Sequence, residues 1–82
     1  MSDIQILKQE IDDTYTNVEV MGKRNEVQVI WNRKLGSIWV LNNNASHKAY
    51  HGTGRTFWSW SEALNAYKSG EMKGILSYVA EL

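Results

Sequence analysis

His47 and His51 stand four residues apart, the spacing that sets two imidazoles on one face of a helix for a metal ion. The Asn, Gly and Tyr residues around them favour extended chain, and no Asp or Glu between positions 42 and 61 completes a ligand set. No metal site is expected. Gly52-x-Gly54, followed by Arg55 and Thr56, can wrap an anion with backbone amides, but the further glycines and the Lys-Ser/Thr pair of a phosphate loop are missing. Two glycines beside a strand read as a tight turn. Ser, His and Asp are all present, yet no serine sits in a nucleophile elbow. Asp12 and Asp13, as neighbours on a helix, would point about 100° apart and not converge as an acid pair. No catalytic residue and no cofactor is assigned, and the chain reads as a non-enzyme.

The remaining chemistry is that of surfaces. Four tryptophans are many for 82 residues. Trp31 belongs to a core face, as argued below. Trp58 and Trp60 flank Ser59, so at most one of them points inward; Trp58 is expected to staple a helix entrance against Ala63, leaving Trp60 exposed. Trp39, Trp60, Tyr50, His47, His51, Lys48 and Arg55 are the candidates for a recognition surface, since exposed aromatics near basic groups serve both protein interfaces and base stacking.

These side chains need elements to hold them. Residues 52–70 form the joint of the chain: a glycine turn, a β-prone run (Arg55-Thr56-Phe57-Trp58), then Ser59-x-x-Glu62 as a capping box. Ahead of it, residues 17–21, 26–32 and 37–41 read as a three-stranded antiparallel meander joined by Gly22-Lys23-Arg24-Asn25 and Arg33-Lys34-Leu35-Gly36. If Gly22 faces Asn25 and Arg33 faces Gly36, one face carries Val18, Val20, Val27, Val29, Trp31, Ile38 and Val40 with no polar intrusion. A one-residue slip would move the whole set to the other side. That other side carries Glu19, Met21, Glu26, Gln28, Ile30, Asn32, Trp39 and Leu41, with Ile30 and Trp39 as cross-strand neighbours.

At the start, Ser2-x-x-Gln5 with Ile4, Leu7 and Ile11 predicts an amphipathic helix over residues 2–13, which would cover part of the mixed face. Its last turn would hold Glu10, Asp12 and Asp13, the wrong sign for the negative end of a helix dipole. Asn42-Asn43-Asn44 reads as a turn, and alternation over 45–50 allows a short fourth strand. After the joint, a helix burying Ala63, Leu64 and Tyr67 stops at Ser69-Gly70, and a second over residues 71–81 buries Met72, Ile75, Leu76 and Val79. The expected fold is therefore α+β: an N-terminal helix, a three- to four-stranded antiparallel meander, and two C-terminal helices packed on one face.

At this length the chain is one small domain over residues 1–82, burying roughly 60–65% of its unfolded surface, so modest stability or support by self-association is expected. There is no Cys, no Pro, no apolar run long enough for a bilayer and no secretory signal, which makes a cytoplasmic protein the default. The formal charge is zero but unevenly spread. Asp3, Glu10, Asp12, Asp13 and Glu19 dominate the first 22 residues, while Lys23, Arg24, Arg33, Lys34, Lys48 and Arg55 face Glu26 alone over the next 38.

Two functions follow. The favoured one is a protein-interaction module, for instance a small regulatory or inhibitory protein of a phage or mobile element. It would bind through Ile30, Trp39, Leu41, Tyr50 and Trp60, through a sheet edge, or by self-association as a dimer. The alternative is a nucleic-acid-binding module in which Lys23, Arg24, Arg33, Lys34, Lys48 and Arg55 contact phosphates. The layout of three strands followed by Phe57-x-Ser59-x-x-Glu62-Ala63 loosely resembles the arm-binding domains of phage-type integrases over residues 17–68, through patterns that any sheet-to-helix joint shows; no family is assigned on it.

Overall fold

The computed structural model describes residues 4–44, 53–67 and 70–82. One antiparallel sheet has five strands in sequence order: β1 (Gln5–Ile11), β2 (Tyr15–Met21), β3 (Asn25–Asn32), β4 (Ser37–Asn44) and β5 (Thr53–Phe57). Two helices follow, α1 (Trp60–Ala66) and α2 (Glu71–Ala80). The expected architecture is thus corrected twice. No helix precedes the sheet among the described residues, and the sheet has five strands where three or four were expected.

The central register is the one the two turns dictate. Val18 pairs with Val29, Val20 with Val27, Val29 with Val40 and Trp31 with Ile38. The valines and Ile38 are fully buried beneath Met72, Ile75, Leu76 and Val79 of α2 and Ala63 of α1, with Phe57 of β5 closing the side. Continuous β-branched residues on one pleated face and an i, i+3, i+4, i+7 stripe on the helix make this two-layer packing the way both hide their apolar side.

The N-terminal segment forms strand instead of helix because β2 offers it an open edge and Asp12 a turn. The Asp12 carboxylate accepts hydrogen bonds from the amides of Thr14 (2.8 Å) and Tyr15 (2.7 Å), reversing the chain so that β1 lies against β2. The acidic residues that would have opposed a helix dipole are here turn-formers. A bulge between Ile6 and Lys8 shifts the pairing by one residue, so Ile6 faces Val20 while Lys8 faces Glu19. Every residue of β1 remains exposed.

The asparagine run also departs from the turn reading: Asn42, Asn43 and Asn44 continue β4, paired with Val27, Glu26 and Asn25. A cross-strand ladder on both sides, with Asn42 also facing Thr53, outweighs the turn preference of the amides. The suggested strand at 45–50 lies outside the described residues; β5, Thr53–Phe57, overlaps the β-prone run within the joint. Five strands, where three or four were expected, therefore precede the capped helix.

At that joint Ser59 caps α1 by accepting the Glu62 amide at 3.0 Å. The return bond differs from the expected box: the Glu62 carboxylate takes the amide of Trp58, at 3.0 Å, one residue before the cap. The ring roles are reversed too. Trp58 is 63% exposed, while Trp60 packs on the core with its ring 5.6 Å from Trp31 in a T-shaped contact.

Candidate functional site

With both helices on the valine side, the opposite face of the sheet is left open among the described residues. The pairing lays out its rows. One row runs Asn17, Ile30, Trp39, Thr56; the next runs Glu19, Gln28, Leu41, Gly54; beyond it Met21 faces Glu26. Ile30, Trp39 and Leu41 therefore form a half-buried apolar centre, bordered by amides on one side and carboxylates on the other.

Local chemistry fixes two of these side chains. The Trp39 indole packs against Gly54, where an added Cβ would sit 3.1 Å from its Nε1, so the missing side chain is what lets the ring approach β5 this closely. Gln28 donates its amide to the Asn17 carboxamide oxygen at 3.1 Å, tying β3 to β2 beside Ile30. Next to the apolar centre, Glu19, Glu26, Val27, Gln28 and Leu41 line a shallow recess of about 100 Å³. The face thus offers an aromatic and aliphatic patch with an acidic notch at its margin.

No family model, curated protein or solved structure matches this chain. Function has to be read from the geometry.

Of the residues chosen from the sequence for a protein partner, Ile30, Trp39 and Leu41 come together as neighbours. Trp60 lies on the far side of the sheet, against Trp31 and the helices, with its indole Nε1 buried and unpartnered. Tyr50 lies outside the described residues, as do His47, Lys48 and His51. Glu19 and Glu26, which the strand parity already placed on the same face as Trp39, were not chosen from the sequence as parts of a site.

The basic residues are dispersed. Lys23 and Arg24 occupy the β2–β3 turn, and Arg33 and Lys34 the β3–β4 turn at the opposite end of the sheet. Arg33 is engaged internally: it donates to the Asp12 carbonyl at 2.7 Å and to the Thr16 hydroxyl, and lies 4.8 Å over the Trp31 ring. Arg55 stacks on Phe57 at 4.8 Å and Tyr67 at 5.6 Å, on the helix side. Among the described residues no group of His, Cys, Asp and Glu can hold a metal, and no helix is long and apolar enough to cross a membrane.

The β2–β3 turn has a structural task. The Glu71 carboxylate, at the first position of α2, accepts the backbone amides of Lys23, Arg24 (3.0 Å) and Asn25 (3.1 Å) and the Asn25 side-chain amide (2.9 Å). It approaches Gly22 so closely that any Cβ there would collide with it. Desolvation works against the charge, but the bonds from Arg24, Asn25 and Lys23 outweigh it and hold the Glu71 carboxyl below its ordinary value. The Tyr15 and Thr14 amides, against slight desolvation and aided by the Arg33 charge, do the same for Asp12. Because both folded values are lowered, their contribution is complete above the ordinary carboxylate range and is lost as pH falls through the folded values. Glu71→Gln should cost about 1–2 kcal/mol at neutral pH, discounted for exposure, and should flatten the acid limb of a urea-stability profile. An unchanged acid limb would show that Glu71 does not clamp the turn to α2.

Proposed function

We propose that this protein is a non-enzymatic protein-interaction module whose recognition surface is the open face of the sheet, of the regulatory or inhibitory kind encoded by phages and mobile elements. The observation that carries the reading is the Ile30–Trp39–Leu41 cluster, set on the face that no helix covers among the described residues. A tryptophan packed closely against a glycine is a pre-ordered anchor, losing little side-chain entropy on binding, and such aromatics dominate interface energetics. Glu19 and Glu26 beside it give the partner's chemistry: an apolar segment flanked by Lys or Arg. The same two carboxylates repel a phosphate backbone, and Lys8 is the one basic residue that the pairing puts among this face's described side chains.

The test compares immobilised wild type, Trp39→Ala and Leu35→Ala as baits in an extract of the source cells, Leu35 being 70% exposed on the β3–β4 turn. A protein held by the wild type and by Leu35→Ala, but about tenfold less by Trp39→Ala, supports the reading. Equal capture by all three baits sinks it. Retention on duplex DNA at ~50 mM salt that falls steeply as salt rises would replace it with the nucleic-acid alternative.

A further inference from the structure

Strand β1 is, among the described residues, a free sheet edge, and its sequence is complementary to itself. Ile6, Leu7 and Ile11 are 36%, 46% and 47% exposed, and beside them an apolar groove of about 650 Å³ runs between β1 and α2, lined by Ile4, Ile6, Gly74 and Tyr78 among others. Free edges are normally protected by inward charges, bulges or covering elements. Here the protection is one bulge and the exposed pair Lys8–Glu10, whose charges lie 3.7 Å apart.

We propose that two copies of the chain join through β1, antiparallel and centred on Gln9, to make a continuous ten-stranded sheet. Pleating restricts the possibilities, because matched residues must share a face, so a two-fold pairing has to be centred on a residue. Centred on Lys8 or on Glu10, the pair sets a charge against its own copy. Centred on Gln9, Lys8 of each copy faces Glu10 of the other, Leu7 faces Ile11, and Gln9 faces Gln9. Four charges then alternate in sign across the seam, and Ile11 of the second copy comes beside the mouth of the groove at Ile6. A peptide of other sequence lacks this reciprocity, which is why a second copy is the occupant. The two-fold axis is perpendicular to the sheet, so both open faces point the same way, although the dimer does not depend on what those faces bind.

Sedimentation velocity over a range of concentrations reads the association, with three charge variants. Lys8→Glu or Glu10→Lys alone turns two attractive pairs into two repulsive ones and should weaken the dimer roughly tenfold; the double exchange Lys8→Glu/Glu10→Lys should restore it. The chain has no cysteine, so Gln9→Cys gives an independent readout. Antiparallel neighbours at about 4.5–5.5 Å between Cα atoms lie within disulfide reach, and mild oxidation should cross-link Gln9→Cys but not Leu35→Cys. A wild type that stays monomeric to about 1 mM, a dimer indifferent to the charge exchanges, or a Gln9→Cys protein that cross-links no better than Leu35→Cys would each overturn the proposal.

Discussion

Phe57→Ala should lower the stability of the folded chain by about 3–5 kcal/mol, read as a shift of the urea midpoint at constant slope. Phe57 ends β5, pairs with Ile38 and is 2% exposed. Its ring meets Tyr67 edge-on at 6.1 Å, and the Arg55 guanidinium lies over it at 4.8 Å, so one side chain joins the edge strand, the end of α1 and the core. Removing it opens a cavity at the corner where sheet passes into helix, and the joint itself, fixed by Ser59 and Glu62, keeps the backbone from collapsing into the space. For a chain of 82 residues the whole stability is about 4–12 kcal/mol, so the substitution removes from about a quarter to all of it. Phe57→Leu, which keeps most of the volume, should cost much less, about 1–1.5 kcal/mol. A loss below about 1 kcal/mol for Phe57→Ala would mean that β5 and α1 do not share this corner.

The elements that could be read from the sequence are those whose periodicity is uninterrupted. In β2, β3 and β4 two short turns fix the register, and a slip by one residue would expose seven apolar side chains, so pattern and pairing agree. The stripe Met72, Ile75, Leu76 and Val79 is equally unambiguous, and all four are buried. The first strand was hidden by its own bulge. Ile6, Gln9 and Ile11 lie on the helix side through their pairing with Val20, Val18 and Thr16, but the extra residue at Leu7 breaks the alternation and leaves Ile4, Leu7 and Ile11 at spacings of three and four, which imitate a helix. Asp12 and Asp13 were the contrary signal. They sit badly at a helix end and well in a turn, and the unpaired edge of β2 decides between the two.

The site was legible to the same extent as the register. Ile30 opposite Trp39 follows from the two turns, and so does the pair with Leu41 on one face. What the sequence could not supply was the bareness of that face, since a supposed helix was available to cover it. Trp60 shows the opposite error. Its place in the first turn of α1 suggested exposure, yet the helix docks with that turn facing the sheet, and the ring settles on Trp31 while Trp58 points outward. Which of two tryptophans flanking a cap turns inward depends on the docking angle of the helix, a tertiary quantity with no local signature.

Arg33→Ala is expected to cost about 2–3 kcal/mol, more than a surface arginine normally would, because the guanidinium supports a fully buried polar side chain on the core face, that of Thr16. Thr16 is fully buried beside Trp31, and its hydroxyl accepts from Nη2 of Arg33 while Nη1 reaches the Asp12 carbonyl at 2.7 Å. The same group stacks on Trp31, and the Arg33 amide donates to the Thr14 carbonyl at 2.7 Å, so the β1–β2 turn hangs on this residue. Lysine will not substitute: a single ammonium cannot serve two diverging acceptors and an aromatic face together. The cycle that tests the account adds Thr16→Val. In the wild type this change removes an engaged hydroxyl and destabilises; in the Arg33→Ala background it removes an unpaired buried one, so it should return about 1 kcal/mol. Amide exchange in β1 should rise with Arg33→Ala well before the core strands lose protection, since the edge opens first. Additive losses in the cycle, with β1 exchanging at its wild-type rate, would show that Arg33 is an ordinary surface charge and that another contact holds the first strand in the sheet.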